Sequence, residues 1–256
     1  MSWIPLLGLA VTLALLLLVE RWIHRHLQGT MMLLTGDREI AVVLYALPLM
    51  PGILLHEISH ALMARLLGVR VGRVSVRPSL ADQRIQLGFV PVEQTDAVRA
   101  SLIGLAPLLT GSGVILLVGY LFFGIGGLQE AFIDGAWASL MAHFVDMFRT
   151  PDVWLWAYVI FAVSNTMLPS QSDRETWAPI ILFLVLAAAL AWLAGLGPTI
   201  IGRLGRPLHL ATRWLTATYG FTMIADLPFV ALILLVEWAI GRIKGMRIEY
   251  EDRRYP

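Results

Sequence analysis

His56, Glu57 and His60 stand together as His-Glu-Ile-Ser-His inside the stretch 53–67, whose only other polar residues are Ser59 and Arg65. Two His four residues apart share one face of a helix and can hold a single metal ion between them. Glu57, beside the pair, is placed to take a proton from water activated at that metal. The setting sharpens the signal, because ionisable groups are costly in lipid and mark functional sites there by default.

A catalytic zinc usually takes three protein ligands and keeps one position open. The chain has no Cys, so thiolate sites, iron–sulfur clusters and disulfides are excluded, and the third ligand is expected to be a carboxylate. Asp146 (three residues after His143), Asp173 and Asp226 are the candidates. Asp173 has the most telling context, a helix broken at Pro169 followed by the polar turn Ser170-Gln171-Ser172. The competing reading is structural: Ser172-x-x-Glu175 reads as a capping box, with Asp173 favouring the helix dipole. The two readings are compatible.

The elements that must position these residues read as membrane helices. The chain is 58% hydrophobic and 14% charged with mean hydropathy +0.74, where soluble domains are about a quarter charged. Six stretches approach the roughly 20 apolar residues a span needs: Trp3–Val19, Ile40–Leu67, Ala100–Phe123, Val153–Leu168, Trp177–Leu196 and Phe221–Ile240. The first lacks a basic residue ahead of it and a small-residue cleavage site, so it reads as a retained helix. The fourth is short and stops at Pro169. Segments 124–150 and 197–220 read as interfacial. The fold class is a mainly α membrane protein, a polytopic bundle of about six transmembrane helices. It forms one domain over 1–256, with a core at about 40–175 and accessory helices at 1–39 and 176–256.

Between the second and third spans, Val69–Pro78 and Arg84–Val92 alternate apolar and polar residues around Ser79–Gln83, the pattern of a small β-hairpin. Open β structure cannot face lipid, so the hairpin belongs at the interface, inside the bundle or on a water-filled cavity. It reads equally as a surface connection and as an edge able to hold an extended peptide. Pro48-Leu49-Met50-Pro51-Gly52 predicts a kink just before the motif, with a wet pocket near His56. The larger share of the 19 Lys and Arg falls in loops on the side of the N-terminus, which predicts both termini in the cytoplasm, in the cell membrane. Net charge is +1, so nothing points to nucleic acid. His24, His26, His143 and His209 read as interfacial residues, and Asp226 as a residue near the interface or, at greater cost, a buried partner of the site or a water-pathway residue.

The chain resembles the site-2 protease family of intramembrane zinc metalloproteases. The resemblance is carried by His56-Glu57-Ile58-Ser59-His60 with its following hairpin, by Gly104-Leu105-Ala106-Pro107, and by Asn165 with Asp173 eight residues on. It covers roughly 40–175. Pro169 falls four residues after Asn165 instead of three, Arg174 replaces the family's Gly, and Thr110 or Gly111 replaces an Asn, which marks a divergent branch. The resemblance implies one Zn²⁺ per chain on His56, His60 and Asp173, with Glu57 as general base. It also implies Asn165 donating to the substrate backbone or oxyanion, and a transmembrane protein or peptide as substrate. Two other classes stay open: a catalytically silent adaptor that binds membrane helices, which the intact Glu57 disfavours, and a metal transporter, which the absence of duplicated broken helices disfavours.

Overall fold

The computed structural model describes residues 4–81, 84–127 and 136–250. Helix α1 covers Ile4–Thr35, about 48 Å at 1.5 Å per residue, well past the apolar run that suggested it. The helix continues because its polar residues find partners inside the bundle: Tyr45 meets His24 at 2.6 Å and Glu237 meets His26 at 2.7 Å. These two His are therefore packed residues, not interfacial ones.

Helix α2, Arg38–Ala46, starts on Asp37, whose carboxylate accepts from the amides of Glu39 and Ile40 at 2.9 Å. A 3-10 turn, Leu47–Leu49, separates it from α3, Met50–Leu66. Pro48 and Pro51 thus break the span where the sequence predicts a kink. Gly52 makes the next contact possible: a Cβ there would collide with the Ala162 carbonyl and the Thr166 hydroxyl.

The long strands expected over 69–78 and 84–92 do not form. Pairing is confined to Ser79–Ala81 (β1) with Arg84–Gln86 (β2), plus single bridges at Ser75↔Phe89 and Val71↔Val92. The first arm gains one residue on the second between successive contacts, so the ladder is interrupted as at a β-bulge. Pro78 and Pro91, which lack an N–H, interrupt it further. Asp82 and Gln83 of the expected turn lie outside the described residues. The arms run back along α3 into the bundle, where Val76, Ile85 and Leu87 pack on a core of Ile23, Tyr45 and Ile53.

Helix α4, Ala97–Phe122, is capped by Asp96. The amides of Arg99 and Val98 and the Arg99 guanidinium hold the Asp96 carboxyl below the usual carboxylate range. After α5, Trp137–Met147, helix α6, Val153–Ser164, runs only 12 residues, about 18 Å, too short for a bilayer about 30 Å thick. The four-residue α7, Gln171–Arg174, and then α8, Trp177–Leu193, follow. Segment 197–220 does not end at an interface. It joins the last span in α9, Gly197–Lys244, 48 residues long.

Among the described residues, five helices are long and apolar enough to cross a membrane, against six expected, which fits a multi-pass membrane protein. Helices α1 and α9 run parallel, with Gly8 near Thr216, His26 at Glu237 and the carbonyls of Leu33 and Leu34 at Lys244. Ile4 and Lys244 therefore lie at opposite ends of the pair. This parallel pair gives no support to the expectation of both termini on one side.

Candidate metal centre

The ring nitrogens of His56 and His60 on α3 meet at 3.1 Å, Nε2 to Nε2. Asp173 of α7 joins them, Oδ1 at 3.3 Å from His60 Nε2 and Oδ2 at 3.8 Å from His56 Nε2. These three side chains form a group that could hold a metal ion. His143 and Asp146 are remote from it. On α5, the half-buried His143 bonds the Ser139 carbonyl and the exposed Asp146 meets Arg149.

The orientation of each ring follows from a local fault in a helix. His56 Nδ1 lies 2.5 Å from the Thr166 carbonyl, just past the end of α6, where carbonyls have no helical donor. His60 Nδ1 lies 2.9 Å from the Ile103 carbonyl. That carbonyl is four residues before Pro107, which has no N–H to donate, so the interior of α4 offers a vacant acceptor. Carbonyl oxygens only accept, so both Nδ1 atoms carry the proton and both Nε2 atoms present lone pairs. The carboxylate adds a third acceptor to the same point.

Asp173 is held by its own turn. Ser170 donates to Asp173 Oδ2 from its backbone at 2.7 Å and from its hydroxyl at 2.6 Å, and accepts from the Asp173 amide at 3.3 Å. This is a capping box, set two residues earlier than Ser172–Glu175. The cap and the ligand geometry use the same carboxylate, Oδ2 for Ser170 and Oδ1 toward His60. Gly104 lets α4 lie directly on this turn: a Cβ there would come within 3.1–3.2 Å of the Asp173 carbonyl carbon and Cα, and would collide with its oxygen.

Glu57 is buried at 7% exposure beside the returning arm of the hairpin. A Cβ on Gly88 would stand 2.6 Å from Glu57 Cγ and 2.7 Å from Cδ. Only a glycine lets the backbone approach the carboxylate this closely.

Asn165 caps α6 at 2% exposure. Its Nδ2 donates to the Phe161 carbonyl at 2.8 Å, the Ser164 hydroxyl at 3.2 Å and Asp226 Oδ1 at 3.5 Å, while its Oδ1 has no partner. Asp226, 1% exposed, is thus a deeply buried neighbour of the site, not an interfacial residue. A cavity of about 1030 Å³ joins these groups: His56, Glu57, His60, Asn165 and Asp173 all line it, with Gly88 and Phe89 of the hairpin.

The donor set fits a tetrahedral metal. Ligand atoms about 2.0–2.1 Å from a common zinc lie about 3.3 Å apart, and the three separations are 3.1, 3.3 and 3.8 Å. With both rings neutral, three acceptor atoms converge, and a cation would relieve their repulsion. The sequence marks Ser170 only as part of the polar turn and Gly104 only within the Gly104–Pro107 segment, and Gly88 stays unmarked, although a Ser-x-x-Asp spacing and an isolated Gly in a strand-like run are signals for the cap and for the close approach. Comparison with known protein families, curated proteins and solved structures returns no match.

Proposed function

We propose that this protein is an intramembrane zinc endopeptidase of the site-2 protease type, cleaving a transmembrane protein or peptide. One observation carries the reading. Two histidines on the kinked, membrane-length span Arg38–Leu66 have both Nδ1 atoms against backbone carbonyls, so the Nε2 lone pairs of the neutral rings face each other and the half-buried Asp173 carboxylate. A bound Zn²⁺ supplies a Lewis acid that polarises a carbonyl and makes water nucleophilic near neutral pH.

The chain's own residues do the rest. His56, His60 and Asp173 hold the ion, and the Thr166 and Ile103 carbonyls and Ser170 orient them. Glu57, on the same cavity, takes the proton from the attacking water and delivers it to the leaving amine. For Asn165 to donate to substrate it must release Asp226, the longest of its three contacts. A helical peptide bond is shielded and hydrogen-bonded, so the substrate must unwind locally. The hairpin arm that lines the cavity beside Glu57 through Gly88 and Phe89 would receive the extended strand along its edge.

Metal analysis combined with cleavage of a model membrane helix tests this. Wild type and Glu57→Gln are both expected to carry about one zinc per chain, with cleavage by wild type alone. Equal cleavage by Glu57→Gln would refute the mechanism. Zinc binding without any wild-type cleavage would favour the adaptor.

A further inference from the structure

A second polar group lines the same cavity and has no part in the hydrolysis. Glu20 sits midway along α1, on the face that buries Leu16, Ile23 and Leu27 at 1%, 0% and 5% exposure. His24, one turn on, shares that face. The Tyr45 hydroxyl lies 2.6 Å from His24 Nδ1, and His24 Nε2 lies 3.5 Å from Glu20 Oε1. All three line the cavity. An ionisable residue at this depth needs a reason. A carboxylate offers about four acceptor positions, and among the described residues Glu20 has this one long contact.

The cavity wall offers a second acceptor. Among the described residues nothing donates to the buried Asn165 Oδ1, and Asp226 lies 3.5 Å from its Nδ2. A wall of acceptors with net negative charge calls for a ligand with several N–H donors and a positive charge.

Its distance from the reactive end is set by the fold. Tyr45 and His56 are separated by 11 residues of kinked helix, about 16 Å at most, which an extended chain covers in about five residues. The hairpin arm spans the same interval, with Ile85 packed in the Tyr45 cluster and Gly88 against Glu57. A strand laid along this arm reaches both ends. Basic residues flank membrane helices as a rule, so one within a few residues of the cleaved bond is an ordinary feature of such substrates.

We propose that Glu20, oriented by His24 and Tyr45, is a subsite for a lysine or arginine side chain of the bound peptide, about three to five residues from the scissile bond. The inference rests on the peptidase reading for its substrate, but binding tests it independently of cleavage. The probe is a fluorescent, N-acetylated apolar peptide of membrane length carrying one Lys, titrated in vesicles against zinc-loaded Glu57→Gln protein. The same peptide with Gln or Glu at that position gives the comparison, and one with a free N-terminus and no Lys distinguishes an α-amine from a side chain.

The Lys peptide is expected to bind on the order of tenfold tighter than the Gln peptide. That preference should vanish in Glu57→Gln/Glu20→Gln, with zinc content unchanged. Moving the Lys along the peptide should show an optimum. Equal binding of the Lys, Gln and Glu peptides, or a preference that survives Glu20→Gln, would overturn the subsite. Tighter binding of the free-amine peptide than of the Lys peptide would overturn its assignment to a side chain. Charge-selective binding without wild-type cleavage would keep the subsite and refute the peptidase, and cleavage indifferent to charge would do the reverse.

Discussion

Gly88→Ala places a methyl group where the Glu57 side chain already is. The new Cβ would stand 2.6 Å from Glu57 Cγ, whereas ordinary contact begins near 3.4 Å. One partner must therefore move by about 0.8 Å, and either movement separates the hairpin from the carboxylate or turns the carboxylate away. Misplacement of a reacting group by about 1 Å costs on the order of 100-fold in rate, or about 2.7 kcal/mol in the barrier. The three atoms nearest the new Cβ all belong to Glu57 and none to His56, His60 or Asp173, so zinc content should hold at the wild-type level. The assay pairs initial cleavage rates of a model membrane helix at saturating substrate with zinc measured on the same preparation. Gly113→Ala is the control, since a Cβ there meets nothing within 4 Å, and its rate should stay within about twofold of wild type. Full activity in Gly88→Ala would refute the placement of Glu57 as base against the hairpin. Loss of zinc together with activity would show that the change unfolds the site instead of displacing the base.

Three further outcomes are expected. Ser170→Ala removes the hydroxyl that holds Asp173 Oδ2 at 2.6 Å and should weaken zinc retention against a chelator by roughly 10–100-fold; unchanged retention would mean that the cap does not orient the ligand. Gly104→Ala should lose zinc and activity, because its Cβ meets the Asp173 backbone, whereas Gly113→Ala, whose Cβ meets nothing within 4 Å, should keep its zinc; the reverse order would contradict the packing of α4 on this turn. Asp173→Ala should release zinc more readily than Asp146→Ala, measured by dialysis and metal analysis, and equal retention would remove Asp173 from the ligand set.

Legibility in the sequence follows the range of the interaction. His56 and His60 are readable because a single helix fixes their spacing. Asp173 is readable because Pro169 and the polar turn announce a break. The acceptors that orient the histidines are backbone carbonyls, and a sequence names no carbonyl; Ile103 is found only by counting four back from Pro107. The hairpin is readable as alternation, but its slipped register depends on packing against α2 and α3. The length of α1 is hidden for a similar reason. Glu20, His24 and His26 look like the end of a span until Tyr45 and Glu237 supply partners from other helices. Asp226 looks interfacial for want of the same knowledge, since Ser164 and Asn165 reach it from more than sixty positions away.

The vacancy that Pro107 leaves in α4 has a consequence for how such a chain can be improved. Replacing it with Ala would let residue 107 bond the Ile103 carbonyl, mending a defect worth about 3 kcal/mol in a regular helix. The mended helix would compete with His60 for the oxygen that sets its proton. A screen for heat-resistant variants would select this repair, and a screen for turnover would discard it. At this one residue, a sturdier span and a working centre are alternatives.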